Sequence, residues 1–93
     1  MMTKNKATII KELQIIPGIG KSIAEDLYNI GIQSVADLKD RDPQVLYHRS
    51  NDYAGAVQDP CLLYTFRCAV YYASTPHPKS DLLKWWNWKN RTL

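Results

Sequence analysis

The chain of 93 residues holds two cysteines, two histidines, one phenylalanine, four glycines and five prolines, and each scarcity excludes something. Two cysteines cannot frame the disulfide-stapled scaffold of a small secreted domain. Cys61 and Cys68 fall in a stretch that reads as helix, which separates them by roughly 10 Å along the axis, beyond the ~7 Å reach of a disulfide. Neither His48 nor His77 has a second Cys or His at zinc-site spacing, so no metal ligand set is read. The low proline and glycine content, with 45% hydrophobic residues, is that of a compact domain and not of a disordered segment. No uncharged apolar run approaches the ~20 residues of a membrane span, and MMTKNKATII lacks a long apolar signal region. The expectation is a cytoplasmic protein with no membrane association. No histidine stands beside a serine or cysteine in a nucleophile pattern, so no catalytic residues, no enzyme activity and no cofactor are expected.

What the chain does have is a stretch from residue 15 reading IIPGIGKSIAEDLYNIGI. Gly20-Lys21-Ser22 matches the end of a phosphate-binding loop, but the further glycine that loop needs would stand at position 15, which is Ile15. A dinucleotide fingerprint would want glycine or alanine at position 23, where Ile23 stands, and a strand before it. The remaining reading is a four-residue hairpin between two helices. Upstream, Ile9, Ile10, Leu13 and Ile16 lie along one face of a helix beginning near Thr8 and ended by Pro17. Downstream, Ile23, Ala24, Leu27, Tyr28 and Ile30 repeat at helical spacing, with Gly31 placed as a left-handed cap.

Further elements are marked by their caps. Ser34 precedes a short turn over Val35 to Leu38. Asp42-Pro43 and Asp59-Pro60 each set a capping carboxylate before a proline at the first helical position. The first opens a helix running to about Asn51 or Tyr53. The second opens one from Cys61 to Ser74 that is apolar nearly all round and is therefore the central, most buried helix, against which the hairpin helices are expected to pack. Thr75 to Pro78 breaks the chain, and Ser80 is placed to cap a last helix from Asp81 to about Asn90. The fold class is all-α: a single compact domain of five or six short helices containing one helix-hairpin-helix, SAM-like in kind. Its expected bounds are a flexible N-terminus over 1–7, the domain over 8–90 with a Trp-rich C-terminal helix, and a tail over 91–93.

Leu13-x-x-Ile16-Pro17-Gly18-Ile19-Gly20-x-x-x-Ala24-x-x-Leu27 resembles the helix-hairpin-helix motif of DNA repair and recombination proteins. From about Ile9 to Lys89, including Cys61-Leu62-Leu63-Tyr64-x-Phe66-Arg67-Cys68-Ala69-Val70-Tyr71 and Leu83-Lys84-Trp85-Trp86-Asn87-Trp88, the chain is similar to a small bacterial family named for a "pathogenicity locus", some of whose members carry the label "mitomycin resistance protein". The first half is also similar to the C-terminal domain of bacterial competence regulators. The resemblance implies DNA as partner and a hairpin that grips one strand's backbone. It carries over to Gly18, Ile19, Gly20, Lys21 and Ser22 as phosphate-binding residues.

Charge is spread unevenly: residues 1–25 sum to +2, residues 26–75 to −2 and residues 76–93 to +3. The basic C-terminus offers Lys84, Trp88, Lys89 and Arg91 as auxiliary DNA contacts. Trp85 and Trp86 read as core closure and Trp88, flanked by cations, as the exposed ring. Arg67, alone in an apolar helix, needs a carboxylate or carbonyl partner, and a structural salt bridge is the expected one. Asp37, Asp40 and Asp42 form an acidic cluster that loop and capping roles explain. Two functions stay open: a non-enzymatic, sequence-nonspecific DNA-binding accessory protein in repair or damage resistance, and a protein-interaction module on the same scaffold, self-association included. The absence of a second hairpin copy leaves few phosphate contacts for the first.

Overall fold

The computed structural model describes residues 5–93. Helix α1 (Lys6–Leu13) starts two residues before Thr8 because Asn5 caps it, its Oδ1 accepting from Thr8 N at 2.8 Å. Of the N-terminus expected to be flexible, residues 1–4 lie outside the described residues, while Asn5, Lys6 and Ala7 form the cap and first turn of α1. The helix ends at Leu13 and not at Ile16. Pro17 disfavours helical backbone in the residue before it, and the chain tightens into short turns, Ile15 N to Glu12 O and Ile16 N to Leu13 O, both 3.2 Å.

Helix α2 (Lys21–Asn29) closes with Gly31 at φ +96°, the left-handed region that favours glycine, and Ile32 N returns to Leu27 O at 3.0 Å. That return folds Ile32 into the core. A 3₁₀ turn over Ala36–Leu38 follows, its Asp37 amide donating to Ser34 Oγ. Helices α3 (Pro43–Ala54) and α4 (Pro60–Ser74) both begin as the sequence indicates, with Asp42 accepting from Gln44 N and Asp59 from Cys61 N. The described residues contain no strand. The all-α single small domain is thus the observed class.

Helix α4 is the spine. It buries Leu62, Thr65, Phe66, Cys68, Ala69 and Val70 and packs against α3, the Ala36–Leu38 turn and the C-terminal segment. The hairpin helices do not lie directly on it as expected: α1 packs chiefly on α2 and α2 on α3, while side chains of all four helices join one apolar core.

The C-terminal segment departs further. In place of a helix from Asp81 to Asn90 there are two 3₁₀ turns, Ser80–Leu83 and Trp85–Trp88, separated by Lys84 in extended backbone at φ −100°, ψ 114°. Ser80 is the first residue of its turn and caps nothing. The cause is tertiary. The Leu82 carbonyl, which a continuous helix would bond to the amide of residue 86, accepts instead from Trp88 Nε1 at 2.8 Å and from Cys68 Sγ at 3.5 Å. Breaking the helix lets Trp88 turn inward, where it is 2% exposed and its ring lies 5.4 Å from that of Tyr71. Burying an indole with its N–H bonded outweighs the few backbone bonds that a short terminal helix would form.

Candidate functional site

The turn between α1 and α2 sorts the five hairpin residues by role. Ile19 is buried among the core side chains, so only its backbone can face a partner. Gly18 has φ +84°, and a β-carbon there would stand 3.3 Å from Cδ1 of Trp85. Its glycine is therefore explained by the fold. Gly20 is different: at φ −88°, ψ −176° it is ordinary extended backbone, and an added β-carbon would meet nothing within 4 Å. It is the N-cap of α2, and no side chain caps that helix. Lys21 and Ser22 are exposed on its first turn.

Around Lys21 the surface is basic in a way the sequence did not single out. Lys6 and Lys11 of α1 line one cavity of about 550 Å³ with Lys21, Gln14 and Glu25. Lys6 Nζ lies 3.7 Å from Glu25 and 5.5 Å over the Tyr28 ring. Lys6 and Lys11 belong to the basic N-terminal stretch, where charge alone assigns them no role. The signal that would have placed them is Asn5, a strong helix cap just ahead of Lys6. Lys21 also borders a depression shared with Ser22, Glu25 and Asp26. There the Asp26 carboxyl is pushed above its ordinary value, first by burial and then by the charge of Glu25.

On the other flank, Trp85 touches the hairpin through Gly18. The tryptophans are the reverse of expectation in part: Trp88 is core, Trp85 is half-buried and Trp86 is 56% exposed. Trp88, proposed as an auxiliary contact, has no free ring to offer. Lys84 is exposed and 3.9 Å from Asp81, Lys89 borders a cleft with Trp86, and Arg91 is exposed. The two cavities described above that Lys21 borders include none of these three.

The other singled-out residues hold the fold. Arg67 finds a carbonyl and not a carboxylate: Nη1 donates to Trp88 O at 2.8 Å, and the guanidinium lies 5.5 Å over the Tyr64 ring. Asp42 caps α3, Asp37 accepts from Gln33 N at 2.9 Å, and the Asp40 amide donates to Ser74 Oγ at 2.9 Å. Among the described residues no group of three or more His, Cys, Asp or Glu is arranged to hold a metal ion. Both cysteines are free. Burial pushes the Cys68 thiol up to about 11, and the exposed Cys61 thiol is raised chiefly by its hydrogen bond to Asp59.

Residues 6–92 match the family model described as Pathogenicity locus. A relative from Streptomyces lavendulae, described as "Mitomycin resistance protein McrB", is 42% identical over 59 residues, which cover 63% of this chain and 56% of the relative. The chain thus spans a little over half the length of that curated relative. No solved structure matches, and no helix among the described residues is long and apolar enough to cross a membrane.

Proposed function

The chain belongs to the Pathogenicity locus family, and from that premise we propose that it is a non-enzymatic DNA-binding accessory protein of the bacterial cytoplasm, holding backbone phosphate without reading sequence. Gly20 is the observation that carries this reading. The fold does not need glycine there, since the backbone is extended and the space in front is open. A serine or aspartate would cap α2 as well or better. What glycine leaves is an unobstructed path to the first-turn amides of α2. Unpaired amides and the positive end of the helix dipole favour an anion, and Lys21 adds a full charge beside them.

In this reading the phosphodiester meets the amides of Lys21 and Ser22, while Lys6 and Lys11 carry positive potential along α1 toward the neighbouring phosphates. Such contacts fix position and orientation and carry no sequence information. Glu25 and Asp26 face the same surface and hold the affinity down. We assign the role to DNA repair or damage resistance, in keeping with the description of the mitomycin resistance relative.

A second reading, a protein-interaction module that includes self-association, is favoured by one feature, the exposed Trp86. Fluorescence anisotropy with labelled duplex at low salt separates the two. The DNA reading expects saturable binding by the folded protein that is indifferent to sequence. Absence of binding at tens of micromolar, with the folded state verified by circular dichroism, leaves the interaction module in its place.

A further inference from the structure

The hairpin is continuous with a second surface of different chemistry. Gly18, Ile23 and Asp26 form one wall of a cleft of about 370 Å³ whose other wall is the start of α4, at Cys61 and Leu62, with Trp85 between them. Asp59, Cys61 and Trp85 are shared with a second cleft of about 400 Å³ that is bordered by Tyr64, Trp86 and Lys89. Trp85 and Trp86 stand at 87° with their centroids 5.7 Å apart. A planar ring entering that corner can lie flat on one indole and edge-on to the other. The cation of Lys89 borders the far side.

The sign of the charge selects what enters. Asp26 and Asp59 border the part nearest the hairpin and no lysine or arginine is in its lining, so a phosphate there would face two carboxylates with no cation beside them. A neutral aromatic ring with N–H donors, which every base carries, would not. Asp59 caps α4 through Cys61 N and also accepts from the Cys61 thiol, and a carboxylate, with about four lone-pair sites, can still accept from such a donor. The lysines that suit a phosphate lie beside Lys21, and the apolar, aromatic, acid-edged cleft meets that surface at Asp26, which borders both. A nucleotide is built in the same way, with an anionic phosphate at one end and a flat donor-bearing base at the other.

We propose that the cleft between the hairpin and the Trp85–Trp86 corner receives an unpaired nucleobase, so that the protein prefers DNA carrying an unpaired or extruded base over intact duplex. The proposal rests on the phosphate reading given above and narrows its substrate class. In a closed duplex the bases are stacked and paired and cannot reach Trp86. An unpaired base can swing out while its own phosphate stays on the amides of α2, and Lys89 then meets the backbone of the following nucleotide. Stacking on an exposed aromatic ring tolerates any base, so the preference is for structure and not for sequence.

The test compares three labelled DNAs at low salt: an intact duplex, the same duplex with one bulged base, and the corresponding single strand. Wild type is expected to bind the bulged and single-stranded DNAs several-fold more tightly than the duplex and to show quenched tryptophan emission with those two alone. Trp86→Ala, at an exposed position whose ring rests edge-on to Trp85, is expected to leave duplex binding unchanged in the folded variant and to remove most of the preference, about 5- to 150-fold for the stacking of one base. Trp86→Phe should restore part of it. Equal wild-type affinity for all three DNAs, or a preference that survives Trp86→Ala, overturns the base site while leaving the phosphate reading intact. No binding to any of the three removes both. If Trp86→Ala alters the sedimentation of the protein and no DNA affinity, the indole belongs to a protein contact and the proposal fails.

Discussion

Arg67 and Trp88 are joined by a hydrogen bond from Nη1 of the guanidinium to the tryptophan carbonyl at 2.8 Å. This bond ties the middle of α4 to the last turn of the chain. Together with the indole N–H on Leu82 O, it holds the C-terminal segment in two short turns where a helix would otherwise form. Replacing Arg67 with Ala is expected to cost about 1.5–3 kcal/mol, the range for hydrogen bonds that involve a charged group. Near-UV circular dichroism should weaken as Trp88 loosens. A loss within the ~0.5 kcal/mol typical of surface changes would show that the segment is held by its apolar contacts alone.

Phe66 is 0% exposed at the centre of α4. Phe66→Ala should cost about 3–5 kcal/mol by urea denaturation, the cost of truncating a buried aromatic and leaving a cavity. A change below about 1 kcal/mol would place the core elsewhere.

The two hairpin glycines are expected to part company. Gly18→Ala forces a side chain into the left-handed region, at about 1–2 kcal/mol, and drives its β-carbon against Trp85. Gly20→Ser should leave stability unchanged or raise it by a few tenths of a kcal/mol, because serine is a good N-cap. The same change should weaken DNA binding, since the hydroxyl takes the amides that the phosphate would use. Thermal melts and anisotropy on the same preparations check both halves, and equal DNA affinity for Gly20→Ser and wild type would contradict the role given to Gly20.

Two carboxylates give stability opposite dependences on pH. Asp26 has a folded-state value above its ordinary 3.8, so the folded chain holds the proton more firmly than the unfolded one. Its contribution is complete below 3.8 and is lost as pH rises through the raised value. Asp59 lies below 3.8, chiefly through the hydrogen bond with Cys61. Its contribution is present above 3.8 and is lost as pH falls through the lowered value. Asp26→Asn should therefore flatten the decline on the upper side of the carboxylate range, and Asp59→Asn the decline on the acid side. Urea midpoints taken across that range give the comparison, and an Asp26→Asn profile superimposable on wild type would remove Asp26 from this account.

How much of this was legible from residues alone depended on where the forces were local. The starts of α3 and α4 were readable because Asp-Pro signals a cap and a first helical residue within two positions. Gly31 marked the end of α2 for an equally local reason. The C-terminal segment was not readable: Asp81 to Asn90 has acceptable helix propensity, and its conformation is set by Arg67 and Cys68, distant in sequence, which compete for its carbonyls. The exchange of roles between Trp86 and Trp88 follows from the same break at Lys84, since interrupting the helix rotates every later side chain. Between α1 and α2 the existence of a tight connection was visible. That Gly18 answers to the fold and Gly20 does not required the backbone angles and the position of Trp85.

The most direct test of the central claim, that the hairpin and Lys21 hold a DNA phosphate, is the salt dependence of duplex binding for wild type and Lys21→Ala. Each neutralised phosphate contributes about 0.9 to the slope of log affinity against log salt, so Lys21→Ala is expected to reduce that slope by about 1 and to weaken unrelated sequences equally. An unchanged slope, with the variant folded and wild type binding DNA, would mean that the phosphate sits elsewhere and would contradict the account.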